Sequence, residues 1–366
     1  MRDEAISMKE KFINDLKAQL NPLPEGIREE ILSDINEHFA VGVAQGFSEE
    51  DICEKLGNPT AIAEQAVQEY AGAAEGFKHI ENSSQAGNAK PFEKVRGRYK
   101  FEIDESFADI TAFDIHFWEA DINFSRSNDN EAHVLIQGTS RTNELVVKND
   151  NGTLVVKSGK KSSVFGLFNW FNFGSTLEVE IYVPAGFAGQ ITANSTAGDI
   201  SSENISGDIS FTSMAGNLKA IGHAGNKIKL TTSAGNVRAE LTNDFAESIK
   251  ITTAAGNVRL EANDVGEMKL DSAAGNVKAD LKKVGETKIL SSAGNVKLTA
   301  HEVAGDIKLT TAAGNAKVYL PLDVNCRIDV KKPAFGSYKS ELAGNPDSPY
   351  TLKATTSMGS VKLCAL

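Results

Sequence analysis

Chemistry needs side chains that converge, so the residues that titrate, attack or ligate come first. His116, His133, His223 and His301 each stand in a different sequence context. Cleavage of a polysaccharide by a β-helix enzyme would require paired acids with a base, or an acid cluster holding calcium. The acids of the repeats come instead about one per repeat. Glu37 and His38 are adjacent and resemble an acid/base couple or a metal pair, but a histidine on the surface of a helix explains them more simply. Glu49, Glu50 and Asp51 follow Ser48 and suit the positive end of a helix. Cys53, Cys326 and Cys364 lie far apart with no CxxC spacing, which fits neither a disulfide framework nor a zinc site. No Gly-x-Ser-x-Gly, HExxH or phosphate loop occurs. The residues therefore indicate no catalytic group, no metal site and no cofactor. A polysaccharide-active enzyme stays only as an alternative.

What the chain does repeat is a turn. Ala-Gly-Asn or Ala-Gly-Asp recurs with glycines at 198, 216, 235, 256, 275, 294 and 314, spaced 18 to 21 residues apart. A weaker turn falls between most of them, at Gly207, Gly225, Gly266, Gly285 and Gly305. Each repeat thus holds two short strands and two turns. Alternate residues point to one face of a strand. After the main turns the inward sets are Val237-x-Ala239-x-Leu241, Val258-x-Leu260-x-Ala262, Val277-x-Ala279-x-Leu281 and Val296-x-Leu298-x-Ala300. The second strands supply Ile228-x-Leu230, Ile249-x-Ile251, Met268-x-Leu270 and Ile307-x-Leu309.

One repeat cannot bury its own core face, so neighbours must stack. The period predicts a parallel β-solenoid with two strands per coil of about 20 residues. Stacked turns would bring Asn217, Asn236, Asn257, Asn276, Asn295 and Asn315 into one hydrogen-bonded ladder. Lys219, Arg238, Arg259, Lys278, Lys297 and Lys317 would face outward on one wall. Lys229, Lys250, Lys269, Lys288 and Lys308 would do so on the other. Such rows suit an anionic polymer or headgroup surface, or else serve solubility, because Glu240, Glu261 and Asp280 stand two residues beyond their cations.

The net charge of −11 argues against nucleic acid as a partner. The charge is uneven: residues 1–70 carry 15 Asp/Glu and 6 Lys/Arg, a net of −9, which leaves −2 for the rest. That acidic part reads as helices. Ile27, Ile31, Ile35 and Phe39 recur every four residues. Ser7 and Ser48 suit N-caps, and Pro22, Pro24 and Gly46 interrupt. Within it, "LPEGIREEILSDINEHF" and "GFSEEDICEKLGNPTAIA" resemble the bacterial HAAS signalling domain, through Leu23-Pro24, Arg28, Glu30, Glu37-His38-Phe39, Gly46, Ser48-Glu49-Glu50 and Leu56-Gly57-x-Pro59. The resemblance implies protein interaction linked to cell-envelope regulation and no chemistry.

Residues 71–91 mix small and polar side chains and read as a linker. Beyond it the pattern turns to period two in "FDIHFWEADINFS" (113–125) and "TLEVEIYVPAGF" (176–187). Between strand-like stretches, Phe165, Leu167, Phe168, Trp170, Phe171 and Phe173 crowd nine positions, preceded by Lys160 and Lys161. Such residues on a loop need a cover. A folded-back lid, a partner or second copy, and a membrane interface all stay open.

The β region resembles the bacterial "putative adhesin" β-strand-repeat family, through the 113–125 entrance, the "VEIYVPAGF" strand and the repeated AGD/AGN turns. The expected organisation is a HAAS-like helical domain at 1–70, a linker at 71–91 and a solenoid domain at 92–366. Within the solenoid, entrance strands span 92–190, regular coils 191–320 and a C-terminal cap 321–366. The expected function is a non-catalytic interaction or scaffold protein of envelope signalling or stress response. The alternative is a peripheral membrane or surface sensor or adhesin using residues 165–173. No apolar run is long enough to span a bilayer, and the N-terminus lacks a signal-peptide core. The expected place is therefore the cytoplasm or the membrane periphery, with surface exposure also open.

Overall fold

The computed structural model describes residues 7–23, 25–44, 46–64, 88–89, 93–95, 98–140, 145–158 and 177–366. The linker 71–91 lies outside them apart from a two-residue strand, Asn88–Ala89.

The N-terminal helices are α1 (Met8–Gln19), α2 (Glu25–Ala44) and α3 (Glu49–Leu56), and a further helical turn opens at Pro59. Ser7 and Ser48 each close a capping box, Ser7 with Glu10 and Ser48 with Asp51. Both reciprocal bonds satisfy backbone N–H groups that the first helical turn cannot. Asp51 is held below the usual carboxylate range chiefly by the Ser48 hydroxyl. Gly46 takes φ +89° just beyond α2, a conformation that suits glycine. The apolar stripe closes on itself: Phe12, Leu16, Ile31, Ile35, Phe39, Ile52 and Leu56 share one buried cluster. Phe12 meets Phe39 edge to face at 5.8 Å.

The β region is a parallel solenoid with two walls. One wall carries the strands that precede each main turn, the other those that follow. Along the strands the coils register residue for residue, with a shift between Ile221 and His223. Val237 stacks on Val258, Val258 on Val277, and Val277 on Val296. The inward sets are buried, with Ala239, Leu260, Ala279 and Leu298 at 0% exposure. Ala262 departs from this and is only half-buried. Its strand pairing with the preceding coil stops at Glu240 and Glu261, whereas the following coil still pairs Leu281 with Ala262.

The stack extends past residues 191–320 in both directions, and its ends are interleaved. Strands Ala112–Glu119 and Asp121–Arg126 form a full coil beneath Gln190–Ala197 and Ile200–Glu203. The stretch 113–125 is therefore not one strand, because Ala120 is a corner. Thr153–Ser158 and Glu178–Val183 come later in the chain yet stack outside that coil. At the far end, Thr351–Met358 and Val361–Ala365 stack directly on Ile307–Ala313 and Ala316–Leu320. Arg327–Ile328 and Tyr338–Ser340 lie outside them. So 321–366 is not simply a cap: its last strands are an interior coil with the turn Met358-Gly359-Ser360.

The turns explain the repeat. A Cβ built on any main glycine from Gly216 to Gly314 would collide with the carbonyl oxygen of the glycine one coil before, as at Gly235 against Gly216 and Gly275 against Gly256, and one on Gly198 would strike Ala120 O. Adjacent coils sit a strand spacing apart, about 4.8 Å, and only glycine permits that approach at the corner.

Candidate functional site

Asn217, Asn236, Asn257, Asn276, Asn295 and Asn315 stand one above another. Asn236 donates its backbone N–H and its Nδ2 to Asn217 Oδ1 at 3.0 and 3.3 Å. The pattern repeats through Asn315 on Asn295 at 3.0 and 3.1 Å. Each side chain points its amide nitrogen toward the N-terminal coil and its oxygen toward the next. The dipoles therefore align, and such chains strengthen one another. Their positive end meets a carboxylate: Asn217 Nδ2 donates to Asp199 at 3.2 and 3.3 Å. Asp199 N in turn donates to Asp121 Oδ1. At the other end Ser360 N donates to Asn315 Oδ1. The ladder thus runs from Asp121 to Ser360, longer than its asparagines. Replacing Asn257 with Ala would leave Asn276 N–H without its acceptor. The expected loss is about 1–2 kcal/mol in a urea titration, and no loss would mean that water replaces the ladder fully.

A second ladder escaped the sequence reading. Thr232, Thr253, Ser272, Ser291 and Thr311 are buried. Each hydroxyl donates to the main-glycine carbonyl one coil back, at 2.9 to 3.3 Å. The signal was a Ser or Thr three residues before every main glycine. These hydroxyls satisfy corner carbonyls that strand pairing leaves open.

The histidines are less isolated than their sequence contexts imply. His116 Nε2 donates to Asp114 Oδ1 at 2.5 Å, and Lys157 reaches Asp114 Oδ2 at 2.7 Å. Asn194 Nδ2 donates to His116 Nδ1. Burial raises the Asp114 carboxyl, but the bonds from Lys157 and His116 outweigh it and hold it low. Ser106 Oγ lies 2.8 Å from His133 Nδ1, whose Nε2 meets both Asp129 oxygens at 2.9 and 3.0 Å. That order matches a nucleophile–base–carboxylate relay. Asp129, however, also closes a turn with Ser127 and Glu131, and its side chain is 55% exposed. A relay depends on shelter from water, so this trio works as a surface clasp. His133, then Ser127, holds the Asp129 carboxyl at about 2.

His223 is fully buried. Its Nε2 donates to Gly207 O at 2.9 Å, and its Nδ1 has no partner among the described residues. Desolvation lowers its pKa from the ordinary 6.5 to about 4. The unfolded chain therefore binds a proton that the folded chain refuses between those two values. Stability should fall as pH drops from about 6.5 to about 4, by up to about 3 kcal/mol. Comparing wild type with His223→Gln in denaturant titrations at pH 7 and pH 4.5 checks this. An equal pH loss in both would assign the effect elsewhere.

Among the described residues no three His, Cys, Asp or Glu come together to hold a metal. Cys326 is buried and Cys53 and Cys364 are half-buried, all as free thiols. An open groove lies at the second corner, lined among others by Phe245, Asp264, Lys283, Glu286, Asp306 and Tyr350. Two of its charges are already engaged: Lys283 pairs with Glu302 at 2.6 Å, and Asp306 accepts from Thr351 N at 2.8 Å. Phe165, Leu167, Phe168, Trp170, Phe171, Phe173, Lys160 and Lys161 lie outside the described residues, as do the side chains of Glu37 and His38. Segment 159–176 links Thr153–Ser158 to Glu178–Val183, where the adjoining coil has a tight corner at Ala120.

Stacked coils with uniform outward rows, preceded by a helical bundle, define a repeat protein of the β-solenoid class. The chain belongs to the Toastrack DUF4097 family, whose model matches residues 110–342. The HAAS family model matches residues 11–65, so a HAAS domain stands at the N-terminus. Similar solved structures include a "putative adhesin" from Bacteroides fragilis, 17% identical with a TM-score of 0.39, covering 75% of this chain and 98% of that one. A "putative cell adhesion protein" from Clostridium sporogenes is 11% identical with a TM-score of 0.22, over 73% and 100%. A "putative lipid binding protein" from Parabacteroides distasonis is 13% identical with a TM-score of 0.36, over 72% and 96%. No curated protein matches the chain. Among the described residues no helix is long and apolar enough to cross a membrane.

Proposed function

We propose that this chain is a non-catalytic interaction scaffold of the bacterial cell envelope. In this reading the HAAS domain contacts a protein partner or a second copy, and the solenoid presents a rigid surface. The observation that carries it is the register of the walls. Identical outward side chains repeat on consecutive coils, as in Lys229, Lys250, Lys269, Lys288 and Lys308. Such rows are suited to extended contact, whereas catalysis needs unlike groups converging on one point.

Fractionation of cells producing the full chain tests the location. Recovery with the envelope is expected, and recovery in the cytosol alone would remove the envelope role. A polysaccharide-cleavage screen tests the chemistry, and reproducible turnover would overturn the non-catalytic reading. Residues 165–173, with Lys160 and Lys161, are proposed as a contact for a partner, a second copy or a membrane surface. Changing Trp170, Phe171 and Phe173 to Ser should abolish liposome pelleting or self-association with little change in melting temperature. A marked fall in melting temperature would instead mean that these rings are covered by the fold itself.

A further inference from the structure

The wall after the main turns carries one continuous cationic row: Lys219, Arg238, Arg259, Lys278, Lys297, Lys317, Lys362 and Lys339. Each registers on the next. Its two halves differ. Lys219 pairs with Glu203 at 2.6 Å, Arg238 Nε with Glu240 at 2.7 Å and Arg259 with Glu261 at 2.6 Å. That half neutralises itself. In the other half Lys278, Lys297, Lys317 and Lys362 form no ion pair among the described residues, and Lys339 approaches Glu341 only to 3.8 Å.

The neighbours sharpen the contrast. On one side of the second half stand Asn276, Asn295, Asn315, Ser360 and Ser337. On the other stand Asp280, Thr299, Tyr319, Cys364 and Glu341. Carboxylates flank only its two ends. Between them the strip offers lysines, amides, hydroxyls and one ring, with Lys297 Nζ 4.6 Å over Tyr319. The interleaved C-terminal end completes the row, because Lys362 enters between Lys317 and Lys339.

We propose that Lys278, Lys297, Lys317, Lys362 and Lys339 bind a linear polyanion bearing phosphate groups, laid along the solenoid axis. This rests on the interaction-scaffold reading and names its ligand class. Five cations on rungs about 4.8 Å apart span roughly 19 Å. Neighbouring lysines lie well within a Debye length and repel one another, and the paired sheet holds their stems in place. A polyanion relieves that repulsion and releases counterions. Each ammonium offers three donors to phosphate oxygens. A row one residue wide matches a strand of polymer better than the plane of a bilayer.

The test uses the full chain and inorganic polyphosphate of defined length, with binding followed by calorimetry across a salt series. Lys297/Lys317/Lys362→Gln should weaken binding at least about tenfold at low salt and flatten its salt dependence. The same three changed to Arg should retain binding, which guards against a folding artefact. Arg238→Gln with Glu240→Gln, in the half of the row that neutralises itself, should bind within about twofold of wild type. An equal loss from that half would overturn the site. Absence of polyphosphate binding by the wild type, or binding only to anionic vesicles, would overturn the ligand class. Neither result would touch the scaffold reading, which the fractionation and cleavage assays decide independently.

Discussion

Leu260→Asp should destabilise the solenoid by several kcal/mol. Leu260 is fully buried and stacks between Ala239 and Ala279 on the coils above and below. The alternation of a large side chain with small ones fills a narrow interior, and a carboxylate there finds no donor. Lys278→Gln, on the next coil and outward-facing, should change stability by no more than about 0.5 kcal/mol. Denaturant midpoints of the two variants provide the comparison. Similar shifts would mean that the inward and outward faces are wrongly assigned. Cooperativity should also change for Leu260→Asp, since a coil that cannot stack exposes the faces of both neighbours.

Gly256→Ala should cost about as much as a poor core substitution, of the order of 2–4 kcal/mol. The added Cβ would strike Gly235 O and the carbonyl carbon behind it. That carbonyl cannot move freely, because it accepts the Thr253 hydroxyl. Relief would require prising apart coils that are hydrogen-bonded on both walls. Ala254→Ser, at an exposed position two residues earlier, should be nearly silent. A tolerated Gly256→Ala would show that the corners have slack, and the glycine repeat would then need another explanation.

Much of this architecture is local and was legible in the residues. The alternation of Val258, Leu260 and their equivalents reports which face is buried, because successive strand side chains point to opposite sides. The recurrence of Gly and Asn reports the stacking, because equal periods place equal corners together. The HAAS-like caps at Ser7 and Ser48 are local too, since a capping box spans only four residues. The Ser/Thr ladder was written just as regularly, three residues before each glycine. It was overlooked because a hydroxyl's partner lies one coil away, on a backbone carbonyl that no sequence pattern displays.

What the sequence by itself determined is the coil: its length, its inward set and the glycine that lets one corner sit on another. Only the tertiary structure decided the order of the coils. At each end two coils compete for the same open sheet edge, and both offer the same alternating pattern. The strand Ala112–Glu119 accepts Gln190–Ala197 on one side and Thr153–Ser158 on the other, although chain order would place them differently. Likewise Val361–Ala365 enters beside Ala316–Leu320 ahead of Tyr338–Ser340. That choice brings His116 between Asp114 and Asn194, and Lys362 into the cationic row. A repeating pattern specifies what can stack but not which copy does; the available edge, the length of the connection and the fit of whole faces settle that together.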